Sequence, residues 1–342
     1  MGRTPTKPVC SALLCALTLV FSSNASQASS EVQQRPEVQK LIKELVSEHK
    51  FSEDKLNSIF SQVTLLPKVI DSMNRQAEAL PWHRYRSIFL KNERIEQGAR
   101  YWQENAAALL RAEQKYGVPS EIIVAIIGVE SRFGEHKGSN RIIDSLTTLA
   151  IDYPRRASFF TNELKEFLLL SREEGMDPLQ VKGSFAGAMG KPQFISSSYR
   201  QYAVDFDGNG VRDLISSHED AIGSVANYFK QNGWKTGEQV AVPAQVSGNK
   251  YRQLVEKGYQ PNVALREART MGVSWNSALS ADEKGALIEL QQVDGAEHWL
   301  ALQNFYVITR YNRSQHYAMA VFQLSDEIRK RHAQLTSAAL EQ

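Results

Sequence analysis

Between Pro36 and Phe51 the apolar residues Val38, Leu41, Ile42, Leu45 and Val46 recur at three- and four-residue steps. That spacing lines one side of a helix and predicts an amphipathic element packed on a core. The stretch "SEDKLNSIFSQV" repeats the pattern, with Ser52 in the N-cap position. "ERIEQGARYWQENAAALLRAEQKYG" predicts a long amphipathic helix closed by Gly117. Glu31 to about Gln114 therefore reads as helical. Further helices are predicted after Pro119 ("VPSEIIVAIIGVE") and in "ASFFTNELKEFLLLSREE", "AIGSVANYFKQNG" and "SQHYAMAVFQLSDEIRKR". Residues 238–300 break this rhythm. "EQVAVPAQV", "GVSW" and "GALIELQQV" predict short strands in a small mixed subdomain.

One helix departs from the amphipathic pattern. From Ile122 to Val129 every residue is apolar or glycine, and then comes Glu130. On a helix Ile123, Ile127 and Glu130 share a face, with Ile126 one turn below the carboxylate. A carboxylate among apolar neighbours tends to keep its proton, because burial penalises the charged form. Such a group suits general acid chemistry near neutral pH. The same placement fits a structural glutamate paired with Arg132, Arg155 or Arg156, and spacing does not separate the two.

Composition narrows the class. The 342 residues are 42% hydrophobic and 23% charged, as in an ordinary globular protein of about two domains. Arg3 and Lys7, the apolar run Val9–Phe21 and the small residues of "SSNASQASS" follow the layout of a secretory signal peptide with cleavage after Ala25 or Ala28. The apolar run is shorter than the ~20 residues of a membrane span. Cys10 and Cys15 lie inside it, so the mature chain has no disulfide, thiolate metal site or cysteine nucleophile. Neither cysteine follows the small residue usual in a lipoprotein signal. The formal charge of +2 includes Arg3 and Lys7, which leaves the mature chain near zero. Bulk attraction to nucleic acid or to an anionic membrane is therefore not supported.

Two further stretches carry chemistry. "GSFAGAMGKPQFISSSY", Gly183–Tyr199, sets glycines among small residues before Gln193, Phe194, three serines and Tyr199. Neutral hydrogen-bonding groups beside aromatic rings suit a sugar chain, and the aromatics at hand are Tyr153, Phe194, Tyr199, Tyr202, Tyr228, Trp234 and Tyr311. "DFDGNGVRDL" places Asp205, Asp207 and Asn209 at positions 1, 3 and 5 of an EF-hand loop, Gly210 at 6, the Val211 carbonyl at 7 and Asp213 at 9. Position 12 is Ser216 rather than Glu, so an ordinary EF-hand is broken. No HExxH, cysteine–histidine set, phosphate-binding glycine loop or GxSxG elbow is present.

The blocks "YGVPSEIIVAIIGVESRFG", "IDYPRR", "GSFAGAMGKPQFISSSYRQYAVDFDGNG", "DAIGSVANYFKQNGW" and "NFYVITRYNRSQHYAMAV" resemble the B family of bacterial lytic murein transglycosylases, a group similar to glycoside hydrolase family 103. The likeness runs in order from about residue 35 to 330. It implies a mainly α fold with a small α+β part: a lysozyme-like catalytic core, a helical N-terminal domain and a small mixed subdomain. The expected division is residues 1–28 signal peptide, 29–115 helical domain, 116–235 catalytic core with the EF-hand-like loop, 236–300 mixed subdomain, and 301–342 returning to the core. The implied activity is cleavage of the β-1,4 bond between N-acetylmuramic acid and N-acetylglucosamine of peptidoglycan, in the periplasm, without water.

The resemblance puts the single catalytic glutamate on Glu130, acid first and then base toward the C6 hydroxyl. It puts groove positions on Ser184, Gln193, Phe194, Tyr228, Tyr311 and Asn312. Arg155 and Arg156 would meet lactyl or peptide carboxylates. Asp144 and Asp152 are expected to be structural. Lys191-Pro192 departs from the small or aromatic pair implied at that point of the loop. The family's longer cation loop ends on a later acid, here Glu219 or Asp220. It would hold a structural Ca2+ that takes no part in the chemistry. Glycan strands are the implied partner, with cell-wall synthesis proteins as candidates and no nucleic acid. The competing readings are a hydrolytic muramidase and a calcium-dependent cell-wall-binding scaffold without turnover.

Overall fold

The computed structural model describes residues 31–74 and 80–340. The predicted signal segment, with Cys10 and Cys15, lies outside them. Among the described residues the fold is mainly helical with a small sheet, the class the sequence predicts. The chain divides after Leu65 into two compact units.

In the first unit α1 (Pro36–His49) packs on α2 (Glu53–Phe60). The predicted stripe is buried at Val38, Leu41, Ile42 and Leu45. Ser52 caps α2, its Oγ accepting the Lys55 N–H at 3.3 Å.

The second unit begins with α3 (Pro67–Met73), α4 (Trp82–Phe89), α5 (Asn92–Glu104) and α6 (Ala106–Tyr116), followed by α7 (Ser120–Ser131). Then come α8 (Ile142–Asp152), α9 (Ala157–Glu173), α10 (Ser196–Tyr202) and α11 (His218–Gln231). The sequence groups residues 29–115 as one helical domain. Helices α3 to α6 lie in the second compact unit. The physical reason is the destination of their apolar stripes. Gly98, Ala99 and Tyr101 of α5, and Ala108, Leu109 and Ala112 of α6, are buried, and both helices pack on α7. What the sequence reads as one long helix is two, broken at Asn105, whose side chain bonds back to the Tyr101 carbonyl.

Residues Ile122–Ile127 of α7 are all buried. A helix apolar on every side belongs in the middle of a core, and α7 is surrounded by α5, α6, α11 and the last helix, α15 (Gln315–Leu340). Gly128 is required here, because a Cβ at that position would lie 2.6 Å from the Phe133 ring.

A short ladder of β1 (Asn140–Arg141) and β2 (Lys182–Gly183) pins the start of the glycine-rich loop. The mixed subdomain is a five-stranded sheet of β3 (Ala241–Val246), β4 (Val263–Ala264), β5 (Val273–Trp275), β6 (Lys284–Gln292) and β7 (Gly295–Ala301), in the order β4-β6-β7-β3-β5 with antiparallel pairs throughout. With α12 (Arg252–Val255) and α13 (Leu265–Thr270) it closes its own core around Val242, Leu254, Leu265, Leu287 and Leu300. Strand β7 is not foreseen from the sequence; "GAEHWLA" alternates poorly and gains its place by pairing with both β6 and β3. The chain then returns through α14 (Gln303–Tyr311) to α15, which lies along α5 and α7.

Candidate active site

Helix α7 ends in two successive left-handed residues, Arg132 (φ 50°) and Phe133 (φ 60°), a conformation that non-glycine residues seldom adopt. Their N–H groups donate to the Gly128 and Ile127 carbonyls, each at 3.2 Å, which satisfies the last carbonyls of the helix. The chain thus turns sharply just beyond Glu130. Ser131 is 1% exposed. Its Oγ donates to the Lys191 carbonyl at 2.6 Å and accepts the Gly134 N–H at 2.9 Å. The residue after the glutamate is therefore bolted to the glycine-rich loop.

Glu130 lines a groove of about 740 Å³. Tyr317 donates its hydroxyl to Glu130 Oε1 at 2.6 Å. Burial raises the Glu130 carboxyl from the ordinary 4.5 to about 7, and the Tyr317 bond opposes part of that rise. Among the described residues no cation forms an ion pair with Glu130, so the reading of a structural glutamate paired with arginine does not hold. Arg132 and Arg155 stand apart from the groove lining, and Arg156, which does line it, stacks on Phe159 at 4.1 Å.

The resemblance-derived positions divide into two sets. Gln193, Phe194, Tyr228, Tyr311, Asn312 and Arg156 line the groove with Glu130. Phe194, Tyr228 and Tyr311 form an aromatic wall, with ring centroids 4.9–5.8 Å apart. The Tyr228 and Tyr311 hydroxyls are tied to the carbonyls of Arg310 and Pro192 at 2.6 and 2.5 Å, which fixes the ring planes. Gln193 sits at φ 51°, its amide donating to Gly190 O at 2.8 Å. Ser184 and Arg155 are not among the lining residues. The Ser184 hydroxyl accepts the Ala186 and Ala188 N–H groups at 3.3 and 3.0 Å and so shapes the turn; Arg155 is exposed. Asp144 is buried and held by Arg141 at 2.7 and 2.9 Å, while Asp152 is exposed. Tyr199, expected among the candidate stacking rings, is buried instead, bonding Arg212 O and Leu214 N.

Sequence reasoning missed Tyr317 and two lining cations, Arg310 and Arg313. A signal for Tyr317 existed: a phenol opening the apolar run Ala318–Val321 needs a buried partner for its hydroxyl.

In the acidic loop the carboxylates of Asp205, Asp207 and Asp220 come within 4.8 Å of one another. Asp205 accepts N–H groups from Gly208, Asn209 and Gly210 at 2.7–3.1 Å, and the Gly210 bond does most to hold its carboxyl below the usual range. Asp220 is fully buried and accepts from Phe206, Asp207 and Asp213. Burial pushes its carboxyl upward. Of the remaining predicted ligands, Asn209 Oδ1 accepts the Val211 N–H at 2.9 Å, and Asp213 Oδ1 is engaged by the Ile215 and Ser216 N–H groups. Of the two late acids, Asp220 lies with Asp205 and Asp207. Glu219 is drawn off by Arg111 at 2.5 Å and does not join the cluster.

Residues 33–326 match the model of the family described as the transglycosylase SLT domain. Membrane-bound lytic murein transglycosylase B of Escherichia coli strain K12 is 43% identical over 315 residues, 89% of this chain and 86% of that one. Catenated lytic transglycosylase SltB1 from Pseudomonas aeruginosa superposes with a TM-score of 0.85 at 47% identity, covering 88% of this chain and 99% of that structure. The Escherichia coli lytic transglycosylase Slt35 in complex with calcium gives 0.81 at 42% identity, covering 92% and 100%. The match over most of its length makes this chain a member of the transglycosylase SLT domain family.

Proposed function

We propose that this chain is a peptidoglycan lytic transglycosylase that cleaves the β-1,4 bond between N-acetylmuramic acid and N-acetylglucosamine and closes a 1,6-anhydro ring on the muramic acid. The observation that carries this reading is a single carboxylate, Glu130, among the described groove-lining residues, raised by burial to about 7. A hydrolase of the usual kind needs a second carboxylate ~5 Å or ~6.5–9.5 Å away, according to its stereochemistry. Protonated Glu130 gives its proton to the glycosidic oxygen as the C1–O bond breaks. The carboxylate left behind then takes the proton of the C6 hydroxyl while O6 bonds to C1. Glu130 ends protonated as it began, and no water is consumed. The nucleophile is already tethered to the reacting sugar, which removes the entropy cost of a second reactant.

In this reading the rings of Phe194, Tyr228 and Tyr311 carry sugar faces, and Gln193 and Asn312 meet N-acetyl or hydroxyl groups. Arg156 faces lactyl or peptide carboxylates. Ser184 supports the loop from behind. Three acidic side chains, two from the loop and one from the first turn of α11, offer hard oxygen donors that suit a calcium ion held by Asp205, Asp207 and Asp220 with help from Asn209, the Val211 carbonyl and Asp213. Such an ion would brace the loop and take no part in the chemistry. Calcium added to the chelated protein is expected to raise its Tm by several degrees, and Asp220→Asn to remove the response; a melting scan with and without chelator checks this. Among the described residues no helix is long and apolar enough to cross a membrane. Export by the predicted signal segment would deliver the chain to the periplasm, where its polymer lies.

Mass spectra of the soluble products from purified peptidoglycan test the reading. Muropeptides lighter by one water and lacking a reducing end are expected. Reducing-end products would overturn it in favour of hydrolysis.

A further inference from the structure

Lys191 is a lysine in the interior, 4% exposed, and among the described residues no carboxylate is bonded to it. Lysine is rarely buried without a dedicated partner. Here the partners are backbone carbonyls: its Nζ donates to Ile215 O at 3.0 Å and to Ser216 O at 2.6 Å, at the closing end of the acidic loop. The Lys191 N–H donates to Leu214 O at 2.8 Å. The Lys191 carbonyl accepts the Ser131 hydroxyl at 2.6 Å. Its aliphatic stem passes beneath the turn after α7, 3.1–3.4 Å from where a Cβ on Gly134 would sit. The next carbonyl, of Pro192, takes the Tyr311 hydroxyl, and Gln193 then enters the groove. The acidic loop, the turn behind the acid, the groove loop and the aromatic wall therefore all meet at this residue. The Lys191-Pro192 pair is also the point where the loop departs from the implied family pattern.

We propose that Lys191 is a positioning residue for Glu130: its ammonium pins the glycine-rich loop to the backbone of the acidic loop, and the pinned Lys191 carbonyl holds Ser131, and with it the Glu130 carboxyl, in register with the groove. The inference rests on Glu130 being the acid and base of the reaction. Loss of the ammonium leaves the Ser216 carbonyl without this donor, while the Ile215 carbonyl keeps only Lys137 Nζ at 3.1 Å, and it frees the loop that Ser131 grips. Tyr228 and Tyr311 are carried by α11 and α14, whereas Gln193 and Phe194 ride on the loop itself. Affinity therefore weakens, and the larger part of the deficit falls on turnover.

The test is steady-state kinetics on a soluble muropeptide substrate with the parent, Lys191→Met, Ser131→Ala and the double variant, each checked for folding by near-UV circular dichroism. Methionine keeps the stem and removes the charge. The expected result is a loss of about ten-fold or more in kcat for each single variant, with KM rising by a clearly smaller factor. In the double variant the losses should fail to multiply, as they do for residues on one path. A folded Lys191→Met with parental kcat overturns the proposal, as do losses that multiply in the double variant. If Lys191→Met does not fold, Ser131→Ala alone decides: a selective kcat loss supports the anchor, and an unchanged kcat overturns it. A parent that yields no anhydro product sinks the functional reading itself, whereas a parent and variants that cleave equally well sink only the role of Lys191.

Discussion

Glu130→Gln is expected to leave glycan binding intact and to reduce cleavage by ~10³-fold or more, toward the upper end of what general acid–base groups contribute. In the proposed mechanism one residue serves both proton transfers, and among the described residues the groove lining holds no second carboxylate to substitute for it. Glutamine keeps the shape and can still accept the Tyr317 hydroxyl, so binding of a soluble glycan fragment, measured by calorimetry beside product release, separates the two effects. Residual cleavage within ten-fold of the parent would remove Glu130 from its role. A stability effect of opposite sign should accompany the loss. The folded Glu130 carboxyl titrates at about 7 and the unfolded one near 4.5. Below 4.5 both states hold the proton. Between the two values the folded state binds more protons, so stability falls as pH rises and levels off above about 7. The cost at alkaline pH is on the order of 3 kcal/mol. Glutamine has no such cost, so the variant should melt above the parent at pH 8 and near it at pH 4. The acid is thus a destabilised group kept for its chemistry.

Local features were the legible ones. The unbroken apolar run before Glu130 foretold both the buried helix and the raised carboxyl, because a helix apolar on every side is covered whatever elements pack on it, and its last-turn carboxylate is desolvated with it. The EF-hand spacing foretold the convergence of Asp205 and Asp207 for the same reason. Choices made by distant chain were not legible. Asp220 joins the acidic cluster, held by the N–H groups of Phe206, Asp207 and Asp213, while its neighbour Glu219 turns to Arg111, 108 residues away. The stripes of α5 and α6 announced burial without saying against what; the helix they cover is α7, within the unit that follows Leu65. Ser184 and Arg155 sit in motifs that match groove segments, yet one hydroxyl is spent inside its own turn and one guanidinium faces solvent.

Tyr317 is the clearest case of long-range placement, reaching Glu130 across 187 residues, and its removal is expected to move the pH profile. The phenol donates to the carboxylate and so favours the ionised form. Tyr317→Phe removes that bond and leaves the apolar surround, so the Glu130 carboxyl should rise above 7. The reaction begins with Glu130 protonated, which makes the alkaline limb of kcat/KM a report on this carboxyl in the free enzyme. In the parent that limb should fall through about 7; in Tyr317→Phe it should fall at higher pH. Turnover at neutral pH should nevertheless drop by about ten-fold, because the bond that orients the carboxyl is gone. The variant would then be slower at pH 7 and yet lose a smaller fraction of its activity between pH 7 and 8. A limb that stays in place, or moves to lower pH, would mean that Tyr317 does not bond the working form of Glu130. The ring itself is 3% exposed and stacks on Tyr311 at 6.4 Å. Phenylalanine preserves that packing, and the shift would belong to the hydroxyl alone.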